Sequence, residues 1–118
     1  MEEIKIDQLK TLTFDGREEK WREWSQKFLV KARVQGFGEV LLTDLGVPSE
    51  IKKNDELTEQ ERKIRRQNEL AYSALLLSCE GAAFRAVERA VTEDLPTGDA
   101  RQAWENLTTT YANNKLQD

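Results

Sequence analysis

The sequence contains no histidine, one cysteine, two prolines and six glycines among its 118 residues. With no histidine and one cysteine, the chain lacks the ligand sets of the usual zinc sites and cannot form an internal disulfide. Histidine is also the commonest general base and the usual activator of nucleophiles, so its absence argues against an enzyme. The scarcity of proline and glycine favours long helices over many short strands.

Other signals are missing as well. No apolar run approaches the roughly 18 residues of a membrane-spanning helix, and the residues after Met1 lack the basic and apolar regions of a secretion signal. Gly36-Phe37-Gly38 lacks the spacing and the Lys-Ser/Thr pair of a phosphate-binding loop. The net charge of −4 argues against a strong direct DNA or RNA binder. We therefore expect a chain of the cytosol or nucleus with no cofactor, no metal and no membrane partner.

Apolar residues recur at helical spacing along most of the chain, and 38% hydrophobic content argues against disorder. The predicted helices run from Asp15 to Gly36, over residues 37–46, from Thr58 to Cys79, over residues 82–91 and over residues 100–112. Asp15 with Glu18, and Thr58 with Glu61, have the spacing of helix-capping boxes. The pattern predicts an all-α fold, a compact bundle of about five helices preceded by an extended arm.

Residues 1–14 form the predicted arm, residues 15–112 the helical domain and residues 113–118 a frayed tail. The arm either packs its apolar side chains on the helices or docks on a neighbouring subunit. The stripe that carries Asn68, Leu75 and Cys79 should form the centre of the bundle, and its helix should be surrounded on all sides beyond Leu70. Cys79 is expected to be a small buried side chain, and residues 50–56 a surface loop.

Positive charge concentrates in one region, which comprises Lys52, Lys53, Arg62, Lys63, Arg65 and Arg66. One interpretation is a solvated helix face, in which neighbouring glutamates offset the charge at three- and four-residue spacing. The other is a site for a polyanion or for an acidic partner surface, for which Arg62, Arg65 and Arg66 are the candidate residues.

Two stretches of the sequence resemble a known family when taken together. The first is Leu12-Thr-Phe14-Asp15-Gly16 followed by Trp21-x-x-Trp24 and Phe28-Leu29, and the second is Ala100-x-x-Ala103-Trp104-x-x-Leu107-x-x-x-Tyr111. In this order, with a long helix between them, they resemble the N-terminal part of Gag from copia-type LTR retrotransposons. The resemblance covers residues 9–112, and its motif positions are mostly aromatic core positions.

The resemblance implies a fold like that of retroviral and retrotransposon capsid N-terminal domains. It also implies a structural protein that self-associates into a virus-like particle, with RNA as enclosed cargo. Gag proteins usually continue into a second capsid domain and often a Cys/His zinc knuckle, which this chain lacks. We therefore expect the N-terminal capsid domain alone, a monomer or weak oligomer in isolation and a homo-oligomer in the full-length protein.

Candidate assembly contacts are the surplus apolar residues Leu42, Leu45 and Val47, and the arginine face could meet a neighbour's acids or the enclosed RNA. Two rival functions remain open. One is a domesticated Gag lobe that acts as an adaptor and binds a peptide between its helices. The other is a helical domain that binds RNA directly through the basic helix.

Overall fold

The structure is a computed structural model that describes residues 12–112. Within them the α-helices are α1 Glu18–Gln35, α2 Glu39–Leu42, α3 Glu59–Ser78, α4 Gly81–Glu88 and α5 Ala100–Tyr111, and a short 3-10 helix spans Asn54–Glu56. This confirms the predicted all-α bundle of about five helices. The predictions for the tail and for the first eleven residues of the arm lie outside the described residues.

Helix α1 begins two residues later than the capping pattern predicted. Asp15 does not cap it, because the N-cap residue is Arg17, whose side chain makes no capping hydrogen bond. The Asp15 carboxylate instead accepts hydrogen bonds from the amide and the Nε of Arg17, at 3.1 and 2.8 Å. These bonds from Arg17 lower the pKa of the Asp15 carboxyl. The helix ends at Gly36 as predicted, and the following amide of Phe37 donates to the Ala32 carbonyl.

Helix α3 begins as predicted. The Thr58 hydroxyl accepts a hydrogen bond from the Glu61 amide at 3.1 Å, and the Glu61 carboxylate accepts one from the Thr58 amide at 2.9 Å. Leu75 is fully buried, as expected for the bundle centre. The expectation that this half of the helix is surrounded on all sides is wrong, because Leu77 remains 36% exposed.

Helices α2 and α4 are shorter than their apolar patterns predicted. Residues 43–46 leave the helix after Leu42, since Thr43 already has extended backbone angles. Helix α4 ends at Glu88, and the carbonyl of Ala90 is bonded by the Asp99 amide at 2.8 Å, which directs the chain into the next turn. Apolar periodicity continues past both ends, but tertiary hydrogen bonds and extended residues stop the helices first.

The aromatic core consists of Phe14, Trp21, Trp24, Phe28, Phe37, Trp104 and Tyr111. The centroids of neighbouring rings lie 4.9 to 6.3 Å apart, in stacked, tilted and edge-on pairs. These rings join α1 to α5 and to the end of the arm. Between α3, α4 and α5 the buried side chains mix alanines with larger apolar residues, Leu75, Val87 and Leu107 among them.

The turn before α5 is fastened to α3 by a buried asparagine. Asn68 donates from Nδ2 to the Gly98 carbonyl at 2.9 Å, and its Oδ1 accepts from the Ala100 amide at 2.8 Å. Beside it the Tyr72 hydroxyl donates to the Val87 carbonyl at 2.9 Å. Asp99 caps α5 by accepting from the Gln102 amide. One polar side chain thus holds α3, the turn and α5 together.

Gly98 is the position where this arrangement tolerates least change. Its φ of +132° disfavours any side chain, and a Cβ there would overlap the ring of Tyr72. We expect Gly98→Ala to lower the free energy of unfolding by about 3 kcal/mol, from backbone strain and overpacking together. Gly46→Ala is the matched control, because Gly46 also has a positive φ (+69°) but a Cβ there would meet no atom within 4 Å. Urea denaturation of both variants checks this, and equal losses would contradict it.

Candidate functional site

The end of the predicted arm is fixed to the junction between α3 and α4. The Phe14 amide donates to the Ser78 carbonyl at 2.8 Å, and the Glu80 amide donates to the Phe14 carbonyl at 2.9 Å. Trp24 donates from its indole nitrogen to the Leu12 carbonyl at 3.1 Å. Residues 12–14 therefore pack on the helices of their own chain, which is one of the two alternatives open for the arm.

The two sequence motifs meet at one point of the structure. Phe14 lies edge-on to Tyr111 at a centroid distance of 4.9 Å, and Trp21 stacks on Tyr111 at 5.8 Å. Gly16 adopts a φ of +92°, and a Cβ there would lie 3.1 Å from the Tyr111 hydroxyl oxygen. Burial raises the pKa of that Tyr111 hydroxyl. Gly16 of the first motif therefore leaves room for the hydroxyl of Tyr111, which ends the second motif.

Most of the remaining motif residues also lie in the core. Buried among them are Trp24, Phe28, Ala100, Ala103, Trp104 and Leu107, and Leu75 of α3 is buried beside them. They support the fold and present no polar atom to a ligand. Any binding function must therefore be carried by the surface around this core.

The candidate assembly residues differ in their exposure. Leu42 is 59% exposed at the end of α2, whereas Leu45 and Val47 are half-buried and pack against the core. Of the three candidate assembly residues, only Leu42 is therefore freely exposed. The two most exposed large apolar residues of the described part of the chain were missed, Val34 on α1 and Ile51 in the loop before α3, at 81% and 80% exposure. A helical wheel would have found Val34, because it lies off the face of Trp21 and Trp24.

The structure uses part of the arginine face to hold a loop. Arg65 donates from Nη2 to the Ser49 and Lys52 carbonyls at 2.6 and 2.8 Å, and Arg62 donates from Nε to the Asn54 carbonyl at 3.0 Å. Arg66 is exposed on the same helix. The positive charge of this helix is therefore partly engaged in fixing residues 48–57, here called the 48–57 loop.

The other side of the 48–57 loop is fastened to the turn before α5. The Glu50 amide donates to the Asp94 carbonyl at 2.8 Å. The Glu50 carboxylate accepts hydrogen bonds from the Thr97 amide at 3.2 Å and from its hydroxyl at 2.6 Å. This stretch, predicted only as a surface loop, is a bridge between α3 and the turn before α5.

Two open grooves flank these features. The arm groove, of about 380 Å³, lies between residues 12–15 and α1, and Lys20, Lys27, Glu23 and Glu80 give it mixed charge. The acidic groove, of about 310 Å³, lies between the end of α2 and residues 92–95, and the Asp44 and Asp94 side chains line it. Leu45 and Val47 form part of its apolar lining.

Among residues 12–112, no group of three or more Cys, Asp or Glu side chains is arranged to hold a metal ion. In the same part of the chain, no helix is both long and apolar enough to cross a membrane. Comparison with known protein families, with curated proteins and with solved structures finds no match.

The role of Arg65 can be separated from that of its neighbour. Arg65→Gln should remove the guanidinium bonds to the Ser49 and Lys52 carbonyls and loosen the 48–57 loop. Arg66→Gln is the matched control, since Arg66 lies exposed one position further along the same helix. Hydrogen exchange measures this directly, and we expect amides of residues 49–53 to exchange about tenfold faster in Arg65→Gln only. Equal exchange in both variants would contradict the assignment.

Cys79 should be unreactive in the folded protein. It is buried, and burial raises the pKa of its thiol to about 12. The thiolate is the reactive form of cysteine, and little of it exists at pH 8 because the pKa is so high. We expect a disulfide reagent such as DTNB to label less than about 5% of the folded chain in an hour at pH 8, and to label it fully in denaturant. Rapid labelling of the folded chain would show that Cys79 is accessible.

Proposed function

We propose that the chain is a structural, capsid-type domain of a Gag protein, which associates with copies of itself to build a particle that encloses RNA. The observation that carries the proposal is the meeting of the two motifs. Their residues lie far apart in the sequence, but the Phe14 ring contacts Tyr111, and a Cβ on Gly16 would lie 3.1 Å from the Tyr111 hydroxyl oxygen. The motif pattern therefore corresponds to one physical unit, as is expected if the resemblance to copia-type Gag reflects a shared fold.

The organisation of the domain supports the same proposal. A shell subunit must keep its shape while weak contacts accumulate through many copies. The aromatic core, the Asn68 bonds and the bridged 48–57 loop all fix surface segments to the helices. Enzymatic activity forms no part of the proposal, and the expected location stays the cytosol or nucleus.

A peptide-binding adaptor derived from Gag is the second candidate. The arm groove favours it, because its mixed charge and its open shape next to residues 12–15 suit an extended peptide. A chain that stays monomeric at high concentration and binds a linear peptide would favour this candidate. Direct RNA binding has less support, since Arg62 and Arg65 already bond the chain's own carbonyls.

Electron microscopy and light scattering on a longer protein that contains this domain test the proposal. We expect closed particles from the wild type, and their loss in Leu42→Ser, which removes the exposed apolar side chain of α2. Leu42 is a sharper target than Leu45, because the half-buried Leu45 also contributes to the core. We expect folding to change by less than about 0.5 kcal/mol, as for most surface substitutions.

Val34→Ser is the matched control, an equally conservative change at an exposed apolar position on another helix. We expect it to leave the particles intact. A wild-type protein that forms no particle and no oligomer under any condition would contradict the proposed function. Particles unaffected by Leu42→Ser would remove Leu42 from the contact surface.

A further inference from the structure

The tip of the 48–57 loop presents an unusual combination of side chains. Ile51 is 80% exposed at the tip, and the exposed side chains of Lys52 and Lys53 follow it. Lys52 also pairs with Glu61 of its own chain, at 3.7 Å between Nζ and Oε2. The complement of an apolar side chain next to these cations is an apolar depression with acidic residues. Single exposed apolar residues are common on protein surfaces, so Ile51 indicates a contact only together with the charges beside it.

The tip is held in place from three directions. Arg65 bonds the carbonyls of Ser49 and Lys52, which lie before and after Ile51. The Lys53 amide donates to the Glu56 carboxylate at 2.8 Å, so this acid is turned back into the loop. Glu50 fastens the base of the loop to Thr97. A tip ordered in advance loses little conformational entropy on binding, which favours its use as a contact.

The acidic groove has the complementary features. Val40 and Leu95 are buried in its lining, and Leu45 and Val47 add half-buried apolar surface. The lining also includes three acids, of which Asp44 and Asp94 are exposed, and one cation, Arg101. The groove thus combines apolar side chains with an excess of negative charge, whereas the tip combines an exposed apolar side chain with two lysines.

We propose that the tip formed by residues 51–53 enters the acidic groove of a second copy of this chain. The inference rests on the proposed self-association and names one of its surfaces. Ile51 would cover the apolar lining, and Lys53 would approach Asp94. A second pair of opposite charges would form between Arg101 of the groove lining and Asp55 of the other copy, which lies two residues after Lys53. Charges of both signs would therefore be matched.

The position of the two surfaces indicates the symmetry of the contact. The Glu50 amide bonds the carbonyl of Asp94 at 2.8 Å, so the base of the loop adjoins one wall of the groove on the same chain. When two complementary surfaces lie side by side, a two-fold axis between them lets each tip enter the partner's groove. A ring contact would instead need complementary surfaces on different sides of the subunit. This contact is therefore a two-fold contact, which pairs two subunits and does not by itself close a ring.

Sedimentation equilibrium on the full chain tests the contact. We expect the wild type to form a weak dimer, and Ile51→Ser to raise its Kd about a hundredfold, because burial of the side chain is lost in both copies. Lys53→Glu and Asp94→Lys should each raise the Kd about tenfold at low salt. Lys63→Glu is the matched control, an equal change of charge at an exposed lysine on α3, and should leave the Kd unchanged.

Mixing the two charge variants gives the decisive comparison. In a two-fold heterodimer of Lys53→Glu with Asp94→Lys, one contact keeps the original charges and the other has them exchanged. We expect that mixture to associate about as tightly as the wild type, although each variant alone is weak. No recovery on mixing, an unchanged Kd in Ile51→Ser, or a wild type that stays monomeric to about 1 mM would each overturn the contact.

The longer protein distinguishes failure of this contact from failure of the proposed function. Particles that form normally with Ile51→Ser would overturn the tip-and-groove contact and leave the proposed function standing. A wild type that forms no oligomer of any kind contradicts the proposed function itself. Particles lost in Ile51→Ser and kept in Lys63→Glu would support both.

Discussion

Stacking of Trp24 on Phe14 and Phe28 is the interaction on which the rest of the structure depends. The same rings reach Trp104 on α5, so a single aromatic cluster joins α1, α5 and the end of the arm. Each such ring pair contributes about 0.5–1.5 kcal/mol beyond its buried area. Because these rings occupy the space between α1 and the other helices, α1 is held mainly by large side chains. The rest of the bundle is held by alanines together with larger buried side chains such as Leu75, Val87 and Leu107.

Buried polar side chains then decide where the surface segments lie. Asn68 satisfies the Gly98 carbonyl and the Ala100 amide, and Arg65 satisfies two carbonyls of the 48–57 loop. A buried or half-buried backbone group without a partner is costly, so these bonds leave the connecting segments few alternatives. The loop tip and the acidic groove are consequently presented in fixed relative positions. The surface available to a partner is thus a consequence of how the chain satisfies its own backbone.

Helical periodicity was sufficient to predict the bundle, but it did not predict where every helix begins and ends. Thr58 caps its helix as predicted, because a cap depends on residues close in sequence. Asp15 does not cap α1, since the left-handed Gly16 follows it and its carboxylate is bonded by Arg17. The predicted helix over residues 37–46 is only Glu39–Leu42, because Thr43 is extended and Gly46 has a positive φ, although Leu45 still packs against the core.

By itself, the sequence determined the all-α class, the buried stripe of α3 and the aromatic core, because side-chain size and helical spacing are local properties. The tertiary structure alone decided that Leu45 and Val47 line a groove while Leu42 stays exposed. It also decided that Arg65 bonds carbonyls 13 and 16 residues away. Such contacts depend on the path of the chain between the partners, which no spacing of residue types encodes. The core could therefore be predicted from the sequence, whereas the exposed surface that the proposed contact uses follows only from the fold.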